Sequence, residues 1–139
     1  MSECFAPIAR LTLELFIYFA SHLKMKKQIK LMADYNCWPL WEYEDNDLVD
    51  NLHPSELSLS SEIKERLLNW QNIYDGIMNW EDPASSDFAS EAEKVAFEKE
   101  GISLWQLLQK ELGNEYEVVY FSEVQRRVLS ALDEAVSLA

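Results

Sequence analysis

The sequence predicts an α+β fold: a mostly helical single domain in which a small two-stranded sheet packs on amphipathic helices. Two long stretches carry apolar residues at helical spacing behind serines suited to N-caps, and two short stretches near opposite ends have strand character. The chain has 139 residues, of which 48 % are hydrophobic, so it has the size of one domain and enough apolar material for a core without disulfides.

The two predicted strands are Ile29–Tyr35 and Glu117–Phe121. In the first, apolar residues alternate with polar ones, which is the two-residue period of a strand with one drier face. Trp38 and Pro39 follow, and proline ends a strand because it has no N–H for the ladder. The second strand, EVVYF, is β-branched and aromatic. The helices between them suit a parallel pairing, with an antiparallel pairing as the alternative.

The first predicted helix begins after Ser60, an N-cap residue, and Glu62 in its first turn favours the helix dipole. Its apolar stripe runs at steps of three and four residues over about four turns and comprises Ile63, Leu67, Trp70, Tyr74 and Ile77. Gly76, as a C-cap or an interior residue, leaves the end of this helix open.

The second helix is predicted from Glu91 to about Leu112, with Ser90 and Glu93 as a capping box. Its buried face comprises Phe97, Leu104, Trp105, Leu108 and Leu112. Gly101 leaves room for another backbone to approach. Gly113-Asn114 predicts that the helix ends there with a residue in the left-handed conformation. A last helix is predicted after Ser122 from the spacing of Val124, Val128, Leu132 and Ala135.

The N-terminal segment Leu11–Ala20 is densely apolar, yet it has half the ~20 residues that a membrane-spanning helix needs and it contains Glu14. No small-residue cleavage site follows it, which disfavours a secretory signal. We therefore expect an apolar N-terminal extension over residues 1–24 and one globular domain over residues 25–139. Met25 is an alternative natural start, since Met25-Lys26-Lys27 resembles an ordinary cytosolic N-terminus.

The excess of acidic residues restricts the kinds of ligand that the protein can bind directly. Twelve Lys and Arg stand against 25 Asp and Glu, a formal net charge of −13, which argues against nucleic acid or anionic lipid as the direct ligand. Two interpretations remain open, namely simple solubility and attraction to a basic partner. Cys4 and Cys37 form no disulfide framework, and a reducing cytoplasm suits them.

The sequence carries no catalytic, cofactor-binding or metal-binding motif. Its three glycines form no phosphate loop, and neither HExxH nor GxSxG occurs. His22 and His53 are the only imidazoles, and His53 before Pro54 is a turn residue. A faint calcium-loop spacing in the acidic stretch lacks both the glycine and the closing glutamate that such loops need. We therefore predict no enzyme, no cofactor and no metal.

The most unusual feature of the sequence is the placement of acidic residues beside aromatic ones. Tryptophan and tyrosine are favoured anchors at protein interfaces, and carboxylates around them steer and pair with basic partners. The predicted partner-binding residues are Trp38, Trp41, Glu42, Tyr43, Glu44, Asp45, Asp47 and Asp50, with Glu81, Asp82 and Asp87 as a second patch. The alternative is that the tryptophans are core residues and the acids a solvated rim.

The stretches KLMADYNCWPLW, DPASSDF and YEVVYFSE, in this order, resemble a set of short bacterial proteins, some of them similar to immunity proteins of contact-dependent growth inhibition and related polymorphic toxin systems. The resemblance covers about Lys30 to Glu123. It implies a cytoplasmic inhibitor that binds one toxin domain tightly. Nucleases need basic clefts for phosphates, so an acidic surface suits the C-terminal domain of a basic, nuclease-like toxin as partner.

Two other functions stay open. The first is a small hydrolase that uses Asp34 with Glu42 and a loosely held metal. The second is an adaptor subunit that docks through Leu11–Ala20. The leading hypothesis is a non-enzymatic immunity protein that occludes the active site of its toxin.

Overall fold

A computed structural model describes residues 27–133, which form a five-stranded mixed sheet with two long helices on one face. The expected N-terminal extension, with Leu11–Ala20, lies outside the described residues. The strands are β1 Lys27–Leu31, β2 Leu40–Glu44, β3 Asp47–Leu52, β4 Glu117–Ser122 and β5 Arg127–Leu129, and the helices are α1 Ser61–Asp75 and α2 Glu91–Leu112. The strand order is β3-β2-β1-β4-β5.

The fold is α+β, but the predicted two-stranded sheet is wrong. The two predicted strands do pair, in parallel, with Ile29 beside Val118 and Leu31 beside Tyr120. They form only the centre of the sheet, because β2 and β3 extend one side and β5 extends the other, all antiparallel. The helical crossover explains the parallel pairing at the centre, and short connections make the outer pairs antiparallel.

Strand β1 ends at Leu31, four residues before the predicted end at Tyr35. The chain turns over residues 34–37, where Asp34 O accepts from Cys37 N and Asn36 takes a left-handed φ of 59°. Asp and Asn stabilise such turns with their short polar side chains. The turn therefore ends the strand before Pro39, and Pro39 is buried and leads into β2.

The acidic stretch forms a β-hairpin of β2 and β3 that we did not predict. Asp45 and Asn46 connect the strands with φ values of 51° and 71°. Two consecutive left-handed residues are the mark of the two-residue hairpin turn that matches strand twist, and Asp and Asn tolerate it well. A bulge between Glu42 and Tyr43 shifts the register, so Val49 is the extra residue of β3.

Both long helices begin where the sequence predicts. Ser60 Oγ accepts from Ile63 N, and Ser90 Oγ accepts from Glu93 N. The predicted apolar face of α2 is buried, and Ile63, Leu67 and Trp70 of α1 are buried with it. The left-handed stop predicted after α2 is wrong, because Gly113 has the right-handed φ of −62°.

The predicted last helix is wrong over residues 122–129, whereas residues 131–133 are helical and Ala135 lies outside the described residues. Ser122 is buried inside β4, and a turn with Arg126 at a φ of 55° leads back into β5. Val128 pairs with Phe121 in the sheet rather than lying on a helical face. Ser122 Oγ accepts from Gln125 N, which holds the turn instead of capping a helix.

Aromatic rings fill the core between helices and sheet. Trp70 and Phe97 stack with centroids 4.5 Å apart, and Trp105 stacks on Tyr120 at 5.8 Å. Gly101 admits a close neighbour, as predicted, but the neighbour is the Tyr120 ring rather than a backbone.

Candidate functional site

Four of the predicted binding residues form a carboxylate face on the hairpin. Glu42 is the cross-strand neighbour of Asp50, and Glu44 is the neighbour of Asp47. Since successive side chains of a strand alternate, all four lie on the face that also carries Ile29 and the helices. Directly opposed side chains have Cβ atoms about 5 Å apart, so four acids form a compact two-by-two array.

This carboxylate face has one cationic neighbour, since Lys27 of β1 lies across from Glu44 on the same face of the sheet. None of its four acids forms an ion pair within residues 27–133. Glu42 accepts a hydrogen bond from Tyr116 Oη at 3.2 Å, and Asp50 accepts one from Asn51 N at 2.8 Å. Burial, and next the bond to Glu42, raise the pKa of Tyr116, so the phenol stays a donor. Like charges that face each other on a sheet destabilise it, so the array has an energetic cost.

The aromatic residues of β2 lie on the opposite face of the hairpin. Trp41 is held by its Nε1, which donates to Met32 O at 2.9 Å. Tyr43 Oη accepts from Lys30 Nζ at 3.0 Å, and that ammonium also lies 5.0 Å from the Tyr43 ring centroid. The two-residue period therefore separates these aromatic residues from the carboxylates, and the structure does not bring them into one mixed patch.

Trp38 and Asp45 lie at opposite ends of the hairpin. Trp38 is 45 % exposed and its ring meets His53 edge-on, with centroids 4.5 Å apart. His53 has a structural role, since its ring Nδ1 accepts from Ser55 N and its backbone N–H donates to the carboxylate of Glu56. Asp45 is exposed at the turn, beside the Glu44–Asp47 pair. Asp45 therefore lies next to the carboxylate face in the chain, and Trp38 lies away from it.

The second predicted patch lies at the other end of the molecule. Glu81, Asp82 and Asp87 are all exposed in the loop between α1 and α2. That loop lies near the end of β1, because Asp87 and Tyr35 line the same cavity. The hairpin turn is beside the start of β1, where Lys27 is the cross-strand neighbour of Glu44. The two predicted patches are therefore separate surfaces.

Sequence reasoning missed a buried polar cluster between α2 and β4. Glu98 is buried and accepts hydrogen bonds from the hydroxyls of Tyr120 and Ser122. Burial raises the pKa of Glu123, which Arg126 opposes with an ion pair at 2.6 Å. One signal was available, because Glu98 falls on the helical stripe of Gly101 and Trp105. The cluster holds helix to sheet and offers no open site.

The carboxylates proposed for hydrolysis are not paired. Glu42 bonds to Tyr116 near the start of β4, whereas the backbone oxygen of Asp34 accepts from Gln71 Nε2 of α1 at 2.6 Å. Across residues 27–133 no group of three or more His, Cys, Asp or Glu side chains is arranged to hold a metal ion. In the same part of the chain, no helix is long and apolar enough to cross a membrane.

Comparison with known proteins identifies the class of protein to which the chain belongs. Residues 27–123 match a family described as Serratia CdiI immunity protein-like, and the match covers more than half of the chain. No curated protein matches the chain significantly. The class is thus that of immunity proteins, which bind and inhibit a toxin.

The chain belongs to the Serratia CdiI immunity protein-like family. This confirms the resemblance to immunity proteins of contact-dependent growth inhibition systems. Membership supports an immunity role through the binding of a cognate toxin, and a non-catalytic mode of action.

Proposed function

We propose that this protein neutralises a basic nuclease toxin in the cytoplasm of the producing cell by placing the carboxylate face of its hairpin in the phosphate-binding cleft of the toxin. The observation that carries the proposal is the two-by-two array of Glu42, Glu44, Asp47 and Asp50. These acids are directed to one side of a rigid hairpin and have no ion-pair partner within the described residues.

The electrostatics of the array suit a cleft that binds nucleic acid. A nuclease holds phosphates with Lys and Arg, and a dense group of carboxylates can occupy the same positions. The hairpin has an anchored backbone, because Asn51 bridges to Trp38 O at 2.7 Å and to Leu40 O at 3.1 Å. A surface that is already ordered loses little entropy on binding.

The net charge of −13 adds a kinetic advantage. Attraction between an acidic inhibitor and a basic enzyme raises association rates to about 10⁸–10⁹ M⁻¹s⁻¹ at low salt. Fast capture matters for an inhibitor because a free nuclease acts on the genome or RNA of the cell at once. The proposed inhibition therefore depends on salt, which weakens steering.

The test is an inhibition assay with the toxin domain encoded beside this gene. We expect the purified protein to form a one-to-one complex with that domain and to abolish its cleavage of DNA or RNA. The Glu44→Gln/Asp47→Asn double variant is expected to inhibit less well. Glu62→Gln/Glu65→Gln removes the same charge from an exposed part of α1 and serves as the matched control.

Two results would contradict the proposal. If the toxin domain cleaves no nucleic acid, the nuclease target is wrong although the immunity role stands. If both double variants lose inhibition equally, net charge rather than the hairpin face drives binding.

A further inference from the structure

An apolar groove lies between the C-terminal half of α1 and the N-terminal half of α2. It is an open cavity of about 570 Å³, within the range of ligand-binding clefts. Its floor is the stacked pair of Trp70 and Phe97, and Phe88 of the connecting loop lies 5.2 Å from Phe97. The wall on the α1 side is Ile73, whose side chain is 55 % exposed.

Small residues keep this groove open. Ala96 lies one turn before Glu100 on α2 and is exposed, and Ala89 of the connecting loop is exposed as well. Trp70 and Phe97 are themselves buried, so the accessible apolar surface of the groove comes from the exposed Ile73 and the half-buried Ile77 and Phe88. A larger side chain at position 96 would fill the cavity that these residues line and increase apolar burial, which normally stabilises a fold. An apolar groove that residues 27–133 do not close is typical of an interaction site.

The rim of the groove is acidic. Asp87, Glu93 and Glu100 line it, and among the described residues no Lys or Arg does. Glu100 is partly neutralised by Arg66 at 2.6 Å, whereas Asp87 and Glu93 form no ion pair within residues 27–133. The same connecting loop carries Trp80, which is 67 % exposed. An apolar floor with a negative rim complements an apolar side chain flanked by Lys or Arg.

We propose that this groove anchors the toxin by receiving an aromatic or aliphatic side chain of a basic toxin segment. The inference rests on the proposed function and deepens it, because it assigns a second contact at the other end of the molecule from the hairpin. The carboxylate face of the hairpin steers association, and the groove slows dissociation. Desolvated pockets that hold an apolar anchor dominate binding energies in this way.

The test compares toxin-binding kinetics of three chains by surface plasmon resonance at several salt concentrations. Ala96→Phe fills the groove, and Ala131→Phe places the same ring on an exposed site away from it. We expect Ala96→Phe to raise the dissociation rate about tenfold or more, with an association rate and salt dependence close to those of the wild type. Ala131→Phe should match the wild type in all three quantities.

A second groove variant covers the case in which Ala96→Phe disturbs the helix. Ile73→Ser changes an exposed wall residue, so the chain should fold, and its dissociation rate should rise as well. Circular dichroism and thermal unfolding verify the fold of each variant. Agreement between the two variants would support the groove as the anchor.

The outcomes separate this inference from the proposed function. Tight, salt-dependent toxin binding with unchanged dissociation in both groove variants would overturn the groove and leave the hairpin proposal intact. No binding by the wild type would overturn both. A wild-type dimer in sedimentation that Ala96→Phe converts to a monomer would assign the groove to a second copy of this chain and overturn the toxin anchor.

Discussion

Glu44 and Asp47 are cross-strand neighbours beside the hairpin turn, so two acids without an ion-pair partner in residues 27–133 stand side by side. Edge strands often carry charge, which prevents edge-to-edge aggregation, and β3 is an edge strand. Protection of an edge explains one charged strand. It does not explain acids on the neighbouring strand β2 directly opposite them, which a toxin-binding role does.

Neutralising one member of this pair should stabilise the free protein. Asp47→Asn removes the repulsion with Glu44, so we expect the free energy of unfolding to rise by about 0.2–1 kcal/mol at low salt. Urea denaturation at low and at high NaCl concentration measures it, and the gain should shrink at high salt because the repulsion is screened. Glu62→Gln, at the N-terminus of α1, should instead destabilise slightly. A destabilised Asp47→Asn would show that the pair is not repulsive.

Gly101 is required because of the Tyr120 ring. A Cβ at position 101 would lie 2.9 Å from Cε1 and Cζ of Tyr120, which is fully buried and cannot move away. We expect Gly101→Ala to lower the free energy of unfolding by about 1–3 kcal/mol, although alanine is the better helix former. Chemical denaturation measures the change.

Gly76 supplies the control for this prediction. It has an ordinary right-handed φ of −69°, and a Cβ at position 76 would lie 3.4 Å from its nearest neighbours, the backbone oxygens of Asn72 and Ile73. Gly76→Ala should therefore be neutral or stabilising. Equal destabilisation of both variants would show that chain flexibility, and not the Tyr120 contact, sets the requirement.

The Glu98 cluster should behave as one unit. Glu98→Leu leaves the buried hydroxyls of Tyr120 and Ser122 without their acceptor, at about 1–3 kcal/mol for each orphaned group. The Glu98→Leu/Ser122→Ala double variant should lose less than the two single variants together. A double-mutant cycle of unfolding free energies measures this coupling, and strict additivity would contradict it.

Glu123 should make stability depend on pH. Burial raises the pKa of this carboxyl above its ordinary value of 4.5, although Arg126 and Lys94 oppose the shift. The folded state therefore holds the proton more tightly than the unfolded state, and stability falls as pH rises from 4.5 through the folded pKa.

The measurement is the unfolding free energy of the wild type and of Glu123→Gln between about pH 4 and pH 7, the range in which a raised carboxyl pKa titrates. The stability of the wild type relative to the variant should decrease with rising pH over that window. Comparison with the variant removes the contribution of the other carboxylates. A difference that increases with pH would mean that the ion pair with Arg126 outweighs burial.

The helices could be predicted because their signals are local. Ser60 and Ser90 cap them as expected, and the apolar stripe of α2 is buried along its whole length. The hairpin was missed because its acids were interpreted as a binding patch and not as residues of strands, although Trp41 and Tyr43 alternate with Glu42 and Glu44 and an Asp-Asn turn follows.

Strand β5 could not be predicted in the same way. Three residues carry no periodic signal, and Val124, Val128 and Leu132 have a helical spacing. What decides the structure is pairing with β4, which the local sequence does not show. The groove is likewise absent from the sequence pattern, since it results from the packing of α1 against α2 and the loop between them.

The central claim is that the carboxylate face of the hairpin binds a basic toxin. The most direct test is the association rate with the toxin domain as a function of NaCl concentration, for the wild type, Glu44→Gln/Asp47→Asn and Glu62→Gln/Glu65→Gln. We expect the hairpin variant to associate about tenfold more slowly at low salt and to show a flatter salt dependence, with the α1 variant close to the wild type. Identical rates and salt slopes for the two double variants would contradict the claim.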